Sequence, residues 1–583
     1  MDGKADWLIV GGGTAGCVLA ARLSEDPGTR VLLVEAGRDF DQSGANDLTD
    51  TSGARAFMDP RYFWPDLSAR LVAGPGGRTE PYKQAMLTGG GSSINGQIAL
   101  RGAPDDYDHW AAAGAAGWGW SDVLPYFRRL ETDLDVRDDL HGTEGPIRIR
   151  RTPAEDWDSV STAMSAVWSR LGWPRLADLN GVFADGHGSL PVSNDGAFRG
   201  STARQYLTPE VRSRPNLVVL PETRVLRVRL ENGRAVGVDA MRDGGSVRLD
   251  AERVVLSAGA LRTPQLLMLS GIGDGASLAS HGIPAISHRP GVGRNLQDHP
   301  NVVVSGCLAS GAGKAFAERS VVTYLRYSSG VPGCEASDMV MSVRGRSMWH
   351  AVGARICGLL TYVALPHSRG TVALADGDPL APPTVAFGGL ADERDLRRLI
   401  EGARFSLRIM VEHLRPDLVA EVFPARLSRR IERLSRPTVA NDRLARVGAA
   451  LMDASPAARR LIVRHLVSNG EDLSAVLADE ATAAGFVRDY MGTSWHPCGT
   501  CRMGAPTDPG AVVDPDGAVI GVPGLFACDA SVMPRITRTN TNLPTIMIAE
   551  HMADRMLRRH RPLATGVIAG YDRPAPNAAS VRD

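Results

Sequence analysis

The chain has no apolar run long enough to cross a membrane and no excess of charge of either sign. Its 583 residues include 65 Lys and Arg against 65 Asp and Glu, whereas a membrane-spanning helix needs about 20 consecutive apolar residues. The first apolar stretch, residues 7–10, is too short for a secretory signal. We therefore expect no membrane span, and no nucleic-acid partner, because no positive field would attract one.

Cysteine is also scarce. The seven cysteines are scattered and odd in number, which is typical of reduced thiols, so we expect a cytoplasmic protein. Cys498 and Cys501 have the spacing of a redox or metal motif, but no second pair at zinc spacing accompanies them, and we expect no bound metal. We find no internal repeat and no low-complexity tract.

What the chain has in abundance is length and glycine. A chain of this length exceeds what one hydrophobic core supports, so we expect at least two domains. The 64 Gly and 37 Pro indicate many tight turns and long loops. Residues 8–10, 14–23 and 31–34 have the pattern of a strand, a helix and a parallel strand, and residues 216–258 that of a β-meander. These patterns predict an α/β protein.

A glycine pattern, Gly11-x-Gly13-x-x-Gly16, follows the first strand, and Glu35 ends the next one. A dinucleotide pyrophosphate needs backbone N–H groups at a helix N-terminus, where side chains would block its approach. The carboxylate of Glu35 suits the two hydroxyl groups of a ribose. The pattern leaves FAD and NAD open, and the acidic residue argues against the 2′-phosphate of NADP.

Four further motifs follow in order along the chain, at residues 259–273, 291–299, 496–504 and 528–534. Together with the opening glycine pattern they resemble the glucose–methanol–choline oxidoreductases over nearly the whole length of the chain. Within that family, residues 495–496 and 539–545 look most like those of bacterial aryl-alcohol-type oxidases. The choline dehydrogenases share the Asn-x-Asn run.

The resemblance implies FAD as the cofactor. Some family members tether FAD through a His in the second glycine loop, but Ile94 and Asn95 offer no such nucleophile, so we expect non-covalent binding. The resemblance implies that the following residues surround FAD: Gly11, Gly13, Thr14, Ala15, Gly16, Glu35, Ala36, Gly90, Gly91, Ser93, Asn95, Val225, Ala258, Gly259, Asp529, Ala530, Asn540, Asn542 and Pro544.

The resemblance also implies a fold: α/β, or α+β overall, with a Rossmann-type FAD-binding domain and a substrate domain whose antiparallel sheet is flanked by helices. The expected FAD-binding domain is discontinuous and comprises residues 1–40, 80–105, 216–300 and 505–560. The expected substrate domain comprises residues 106–215 and 301–504. Residues 41–79 show little periodicity and are expected to form a lid or excursion loop, and residues 561–583 a loose tail.

By resemblance, His496 is the catalytic base. A neutral imidazole can take the proton of an alcohol within hydrogen-bond reach. A lone His before Pro is more often a turn or core residue, but the surrounding motif favours the base.

Asn540 lies where many relatives have a second His, although Asn just before a helix is usually an N-cap. Asn542 is the better cap, because Pro544 suits the first helical turn. Asn540 is then free to orient the substrate oxygen. The positive end of the helix predicted at residues 543–557 also favours a reduced, anionic flavin.

We therefore expect oxidation of a primary alcohol, aromatic or heteroaromatic, to the aldehyde, with hydride transfer to flavin N5 and reoxidation by O2. The aromatic preference rests on family analogy. A dehydrogenase that uses a quinone or another carrier, including one for choline-like substrates, stays open. So does a non-redox flavoprotein of the hydroxynitrile lyase type. The expected partners are a small-molecule alcohol and O2 or another electron acceptor, and the oligomeric state is undetermined.

An Arg-rich helical segment, residues 425–470, looks longer than its counterpart in relatives. A solvated helical face is the simpler interpretation. Oligomer contacts, or a flap over the entrance of the site, are the alternatives.

Overall fold

The computed structural model describes residues 4–40, 47–52, 54–74, 77–309, 321–468 and 473–559. Two large sheets organise these residues, one centred on parallel strands and one antiparallel. This arrangement confirms the predicted α/β class with a Rossmann-type region and a separate antiparallel sheet.

The first sheet carries the glycine-rich turns. Its strand order is β10 (Thr223–Glu231), β11 (Arg234–Arg242), β12 (Gly245–Leu256), β1 (Ala5–Val10), β2 (Val31–Val34) and β9 (Leu217–Leu220), with β23 (Leu525–Ala527) paired to β12. The pairs of β1 with β2 and with β12 are parallel, whereas β10, β11 and β12 form an antiparallel meander. Every residue of β1 and β2 is buried, as in parallel sheets covered on both faces.

The second sheet is antiparallel and forms one wall of the site. Its order is β21 (Val419–Ala425), β15 (Pro300–Leu308), β18 (Ile356–Val363), β17 (Met339–Arg344), β16 (Thr323–Tyr327) and β7 (Gly186–Ser189), with β22 (Gly492–Thr493) paired to β15. Alternate side chains such as Met341 and Leu359 pack in the core with Leu399 and Ala403 of one helix. The intervening side chains face the opposite side, where the cavity lies.

Three smaller sheets complete the strands. They are β19 (Thr371–Ala373), β20 (Thr384–Gly389), β3 (Ser68–Val72) and β4 (Thr79–Pro81); β5 (Glu131–Asp133), β6 (Ile147–Arg151) and β8 (Pro191–Ser193); and β13 (Ile272–Gly273) with β14 (Ser287–His288).

The prediction of an excursion loop over residues 41–79 needs correction. Within it, β3 pairs in parallel with β20, more than 300 residues further along the chain, and Leu67 and Leu71 are buried. A five-residue strand whose partner is so distant leaves little local periodicity to detect. Residues 41–46, 53 and 75–76 of that segment lie outside the described residues, as does the predicted tail at 561–583.

The helices cover both sheets. They are α1 (Thr14–Leu23), α2 (Ala54–Met58), α3 (Pro104–Ala112), α4 (Trp120–Leu130), α5 (Ser159–Arg170), α6 (Thr202–Gln205), α7 (Pro209–Arg212), α8 (Gly259–Leu269), α9 (Gly275–Ser280), α10 (Glu393–Arg408), α11 (Arg429–Leu434), α12 (Val439–Ala454), α13 (Pro456–Ile462), α14 (Leu473–Ala478), α15 (Glu480–Tyr490) and α16 (Asn542–Arg559). The first and last helices pack together, and Arg22 pairs with the buried Glu550 at 2.7 Å.

None of the helices in the described part of the chain combines the length and apolar character needed to span a bilayer. All seven cysteines carry free thiols. Burial raises the pKa of the Cys498 and Cys501 thiols, which favours their neutral, less nucleophilic form.

Candidate active site

A cavity of about 550 Å³ lies between the two large sheets. At one end Val10, Val34 and Ser257 line it, at the carboxyl ends of β1, β2 and β12. This edge is where open α/β sheets bind their ligands. At the other end the wall is the face of the antiparallel sheet that does not pack against Leu399 and Ala403.

The opening glycine pattern forms the floor of the nucleotide half. Gly11 has φ +103°, and a Cβ there would lie 2.5 Å from the carbonyl oxygen of Ser257. A Cβ on Gly16 would lie 1.9 Å from the carbonyl oxygen of Gly11, so helix α1 could not approach the strand if a side chain were present. Gly13 precedes α1 and provides no side-chain cap. The first N–H groups of α1 are therefore available to a phosphate.

Glu35 is held by backbone N–H groups. Its two carboxylate oxygens accept hydrogen bonds from Gly12 N (2.8 Å) and Gly37 N (2.7 Å), while burial raises the pKa of this carboxyl group. Glu35 lines the cavity, as do Ala36 and Val225. It is therefore positioned for the hydroxyl groups of a ribose.

The second glycine loop packs directly on the first. A Cβ on Gly90 would lie 2.8 Å from Gly13 Cα, so the two loops touch where a side chain would separate them. Asn95 is fixed by Arg199, whose guanidinium donates to its side-chain oxygen at 2.9 Å. Gly90, Gly91 and Asn95 all line the cavity.

Two more helices begin at the cavity wall. Gly259, at the start of α8, donates its N–H to Asp529 at 2.8 Å, and Thr263 donates its hydroxyl to the same carboxylate at 2.6 Å. Asn542 is the first residue of α16 rather than its cap, and its side-chain oxygen lies 3.4 Å from the Thr14 hydroxyl. The N-termini of α1, α8 and α16 thus direct partial positive charge at one space, which suits a pyrophosphate and an anionic ring system.

These features fit FAD. The glycine loops leave the space that side chains would fill, the carboxylate of Glu35 faces that space, and the helix N-termini suit its phosphates. Of the residues expected around FAD, the cavity is lined by Gly11, Gly13, Thr14, Ala15, Glu35, Ala36, Gly90, Gly91, Asn95, Val225, Ala258, Gly259, Asp529, Ala530, Asn540 and Asn542.

Three of the expected cofactor residues do not line this cavity. Gly16 is buried in α1, where it allows close packing. The Ser93 hydroxyl is turned away and donates to the Thr88 carbonyl at 3.1 Å. Pro544 is buried in the first turn of α16.

A pair of histidines lies at the other half of the cavity, where His496 lines the wall and His299 is buried behind it. His299 Nε2 is 3.0 Å from the Thr537 carbonyl oxygen, and His299 Nδ1 is 2.9 Å from His496 Nδ1. Because a carbonyl can only accept, His299 carries its hydrogen on Nε2, and its Nδ1 must be the acceptor. His496 therefore donates from Nδ1, which leaves a free electron pair on its Nε2.

Asp298 holds the backbone of both histidines. Its Oδ1 accepts from His299 N at 2.7 Å and from His496 N at 3.0 Å. Burial and the neighbouring His299 ring lower the pKa of His496 well below its ordinary value. The ring is thus neutral at neutral pH and can accept a proton.

Asn540 lines the same end of the cavity. One N–H of its amide donates to the Ile98 carbonyl at 2.8 Å, and its oxygen accepts from the Thr539 hydroxyl at 3.1 Å. An amide group has two N–H donors, so the second remains available for a substrate oxygen.

Sequence reasoning assigned no role to His299, although the motif at residues 291–299 ends on it. It also gave no role to Arg344, which lines the cavity from the antiparallel sheet. His299 could have been found in the sequence, because it is the last residue of the motif at residues 291–299. No sequence motif surrounds Arg344, because only strand pairing brings this residue to the site.

Comparison with known proteins agrees with this architecture. The GMC oxidoreductase family models match residues 5–301 and 366–549. The chain is 38% identical to 5-(hydroxymethyl)furfural oxidase of Methylovorus sp. (strain MP688), covering 95% of this chain and 98% of that protein. It is 32% identical to the oxygen-dependent choline dehydrogenase of Sinorhizobium medicae (strain WSM419), over 96% and 97%.

Among solved structures, pyridoxine 4-oxidase from Mesorbium loti superposes with a TM-score of 0.79 at 28% identity, covering 96% of this chain and all of that one. The family models include both His299 and His496. The matches to whole proteins cover 95–96% of the chain. The chain therefore belongs to the GMC oxidoreductases, a family of FAD-dependent enzymes.

Proposed function

We propose that this protein oxidises a primary alcohol to the aldehyde, with His496 as the base. The histidine pair carries this proposal, because the chain of hydrogen bonds from Thr537 through His299 leaves His496 Nε2 unprotonated at the cavity wall. Bound FAD would accept the hydride from the carbinol carbon, so one proton and one hydride leave the alcohol together.

The remaining steps belong to the side chains. His496 Nε2 takes the hydroxyl proton, and its lowered pKa keeps it ready to do so. The free N–H of Asn540 orients the alcohol oxygen without competing for that proton. The residues predicted to act together thus have complementary roles, one as acceptor and one as donor.

The finer features of the proposal rest on the relatives and on the lining of the cavity. A furfural-derived alcohol is the substrate named for the 38% identical relative, which supports an aromatic or heteroaromatic alcohol here. The carboxylates among the described lining residues are Glu35 and Asp529, both in the nucleotide half. A cationic alcohol such as choline would therefore find no counter-charge among them, and this favours neutral or anionic alcohols.

We also propose that FAD is bound non-covalently and that O2 reoxidises it. The described lining of the second glycine loop, which includes Gly91, Ile94 and Asn95, presents no nucleophile for a covalent link. The alternative is a dehydrogenase that passes the electrons to a quinone or another carrier.

The test is to mix the purified holoenzyme anaerobically with a panel of primary alcohols and to follow the visible absorbance of oxidised flavin before and after air is admitted. Bleaching by an aryl alcohol with rapid recovery in air is the expected result. Slow recovery of the absorbance in air would indicate that an electron acceptor other than O2 reoxidises the flavin. Failure of every alcohol to bleach the flavin would overturn alcohol oxidation in favour of non-redox chemistry of the lyase type. Acid precipitation that leaves the flavin with the protein would contradict non-covalent binding.

A further inference from the structure

One cation that lines the cavity, the guanidinium of Arg344, forms no hydrogen bond or ion pair with the described part of the chain. Arg344 ends β17, and its side chain lines the cavity. Within the described ranges no carboxylate, carbonyl or hydroxyl contacts its guanidinium, and burial alone lowers its pKa. Arg344 is half-buried, so its guanidinium has lost part of its hydration while it remains charged, and a partner that arrives with the ligand is expected.

The other cations that line the cavity have hydrogen-bond or ionic partners. Arg224 donates to the Leu380 carbonyl at 2.9 Å, and Arg262 donates to the Gln265 side-chain oxygen at 2.9 Å. Arg346 donates to the Met348 and Trp349 carbonyls at 3.1 and 2.7 Å. Lys83 lies 3.2 Å from a Glu432 oxygen. Arg262 keeps an unpaired Nε, but among these cavity-lining cations Arg344 is the one whose side chain forms no hydrogen bond with the described residues.

The carboxylates of the cavity cannot serve Arg344. Glu35 and Asp529 lie in the nucleotide half, where both accept hydrogen bonds from backbone N–H groups. The phosphates of FAD would be held there as well, at the N-termini of α1 and α8. The described lining residues therefore offer Arg344 no carboxylate partner, which leaves an anionic group on a bound molecule to fill that role.

Strand register links Arg344 to the catalytic histidines. Arg344 pairs with Gly358, and Val340 pairs with Tyr362, so the two rows are four residues apart on the same face, or about 13 Å along the strand. The Tyr362 ring stacks on His299 at 5.0 Å between centroids. The sheet thus places Tyr362, which contacts His299, at one level of the wall and the guanidinium of Arg344 further along, with Ser342 and Leu360 between them.

We propose that Arg344 binds a carboxylate at the far end of the alcohol, so that the substrates of this enzyme are hydroxymethyl-substituted carboxylic acids. This inference rests on the proposed function, because it places the alcohol at His496. A planar guanidinium binds a carboxylate through two parallel hydrogen bonds, which fixes the orientation of the molecule as well as its affinity. The hydroxymethyl group is thereby presented to the base.

The experiment compares two alcohols of nearly the same shape, para-(hydroxymethyl)benzoate and its neutral amide, para-(hydroxymethyl)benzamide. The kcat/KM of each is measured for the wild-type holoenzyme and for Arg344→Met, Arg344→Lys and Arg248→Met. Arg248 is a matched control, because its side chain is 77% exposed on the meander. The wild type is expected to prefer the benzoate, and Arg344→Met to lose that preference by about 10- to 100-fold, as for a hydrogen bond to a charged group.

In Arg344→Met the neutral amide should be oxidised at close to the wild-type rate, and Arg344→Lys should recover part of the preference. Binding of terephthalate, which has no alcohol to oxidise, gives a readout separate from turnover. Its dissociation constant, measured by perturbation of the flavin spectrum, should rise about as much in Arg344→Met and stay unchanged in Arg248→Met.

Equal kcat/KM for the two alcohols in the wild type would overturn the carboxylate proposal while leaving alcohol oxidation intact. Loss of FAD from Arg344→Met would overturn it as well, because Arg344 would then hold the cofactor. If neither alcohol bleaches the flavin but terephthalate still binds through Arg344, the anion site stands and alcohol oxidation fails.

Discussion

The nucleotide half and the substrate half of the cavity are built in different ways. The nucleotide half begins with Gly11, Gly13, Gly16 and Glu35, which lie within 25 residues of one another and act mostly through backbone N–H groups. In the substrate half, His299 and His496 are 197 residues apart and act through their side chains.

This difference explains why the nucleotide half could be predicted from the sequence. A phosphate-binding loop requires the absence of side chains and a particular backbone conformation. The spacing of the glycines predicts both. A wall of the antiparallel sheet requires that strands far apart in the chain pair in register, and no spacing records that. Substitutions can distinguish the two halves. Those in the nucleotide half should affect FAD binding, and those in the substrate half should affect catalysis.

The largest effect is expected where the nucleotide half is broken. Gly11→Ala places a Cβ 2.5 Å from the Ser257 carbonyl at a φ of +103°, which L side chains rarely adopt. The protein should lose its FAD and with it all activity. Bound flavin is measured by the ratio of visible to ultraviolet absorbance, and folding by circular dichroism. Gly485→Ala is the control, because nothing lies within 4 Å of a Cβ there. A folded Gly11→Ala protein with a full complement of FAD would contradict the assignment.

The next largest effect is expected from His496→Ala in the substrate half. Removing a general base costs about 10²- to 10⁴-fold in rate, and FAD content should not change, because the nucleotide half is untouched. Anaerobic rapid mixing measures the rate of flavin reduction, and His413→Ala, at an exposed histidine, serves as control. A near-normal rate of flavin reduction in His496→Ala would show that His496 is not the base.

A smaller loss is expected from His299→Ala, which acts through His496. Without the acceptor at Nδ1 the catalytic imidazole can rotate or change tautomer, and such misplacement costs up to about 10²-fold. The loss should appear in kcat with little change in KM. His299→Asn, whose side-chain oxygen can accept the same hydrogen bond, should restore part of the rate. Equal rates for the Ala and Asn variants would show that His299 only fills space.

A modest effect is expected at the mouth of the cavity, where the Arg-rich segment meets the body of the protein. Glu432 of α11 pairs with Lys83, and Leu427 lines the cavity. The pair is partly buried, with 10% of the Lys83 side chain and 28% of the Glu432 side chain exposed. Ion pairs near the surface contribute about 0.2–1 kcal/mol, so Glu432→Gln should change KM by less than about fivefold and leave the limiting rate of flavin reduction unchanged. Glu480→Gln breaks the exposed pair with Arg404 away from the cavity and should change neither. A changed limiting rate in Glu432→Gln would give this segment a role in the chemistry.

The smallest effect concerns pH. Because burial lowers the pKa of His496 well below its ordinary value of about 6.5, the base stays neutral as pH falls from 8 to 6. The rate of flavin reduction should therefore stay level, whereas an ordinary imidazole would lose about three-quarters of its neutral form. Burial raises the pKa of Asp298 to about 6, so the profile is measured in Asp298→Asn, where that group cannot titrate. An inflection near pH 6.5 in this variant would contradict a lowered pKa for His496.

The sequence alone determined the βαβ unit and the glycine cradle, and it singled out His496, the base that we propose. The helix predicted at residues 14–23 is Thr14–Leu23 in the structure, and the strand predicted at residues 31–34 is Val31–Val34. These features could be predicted because helix periodicity and glycine conformation are set by neighbours a few residues away. His496 could be found because its motif is contiguous.

The tertiary structure decided the rest. It showed β3 inside the segment expected to be a loop, Ser93 turned away from the cavity, and Asn542 inside rather than before its helix. It alone joined His299 to His496 and brought Arg344 to the same wall. The physical reason is that antiparallel pairing and side-chain hydrogen bonds join residues whose separation along the chain leaves no trace in local sequence.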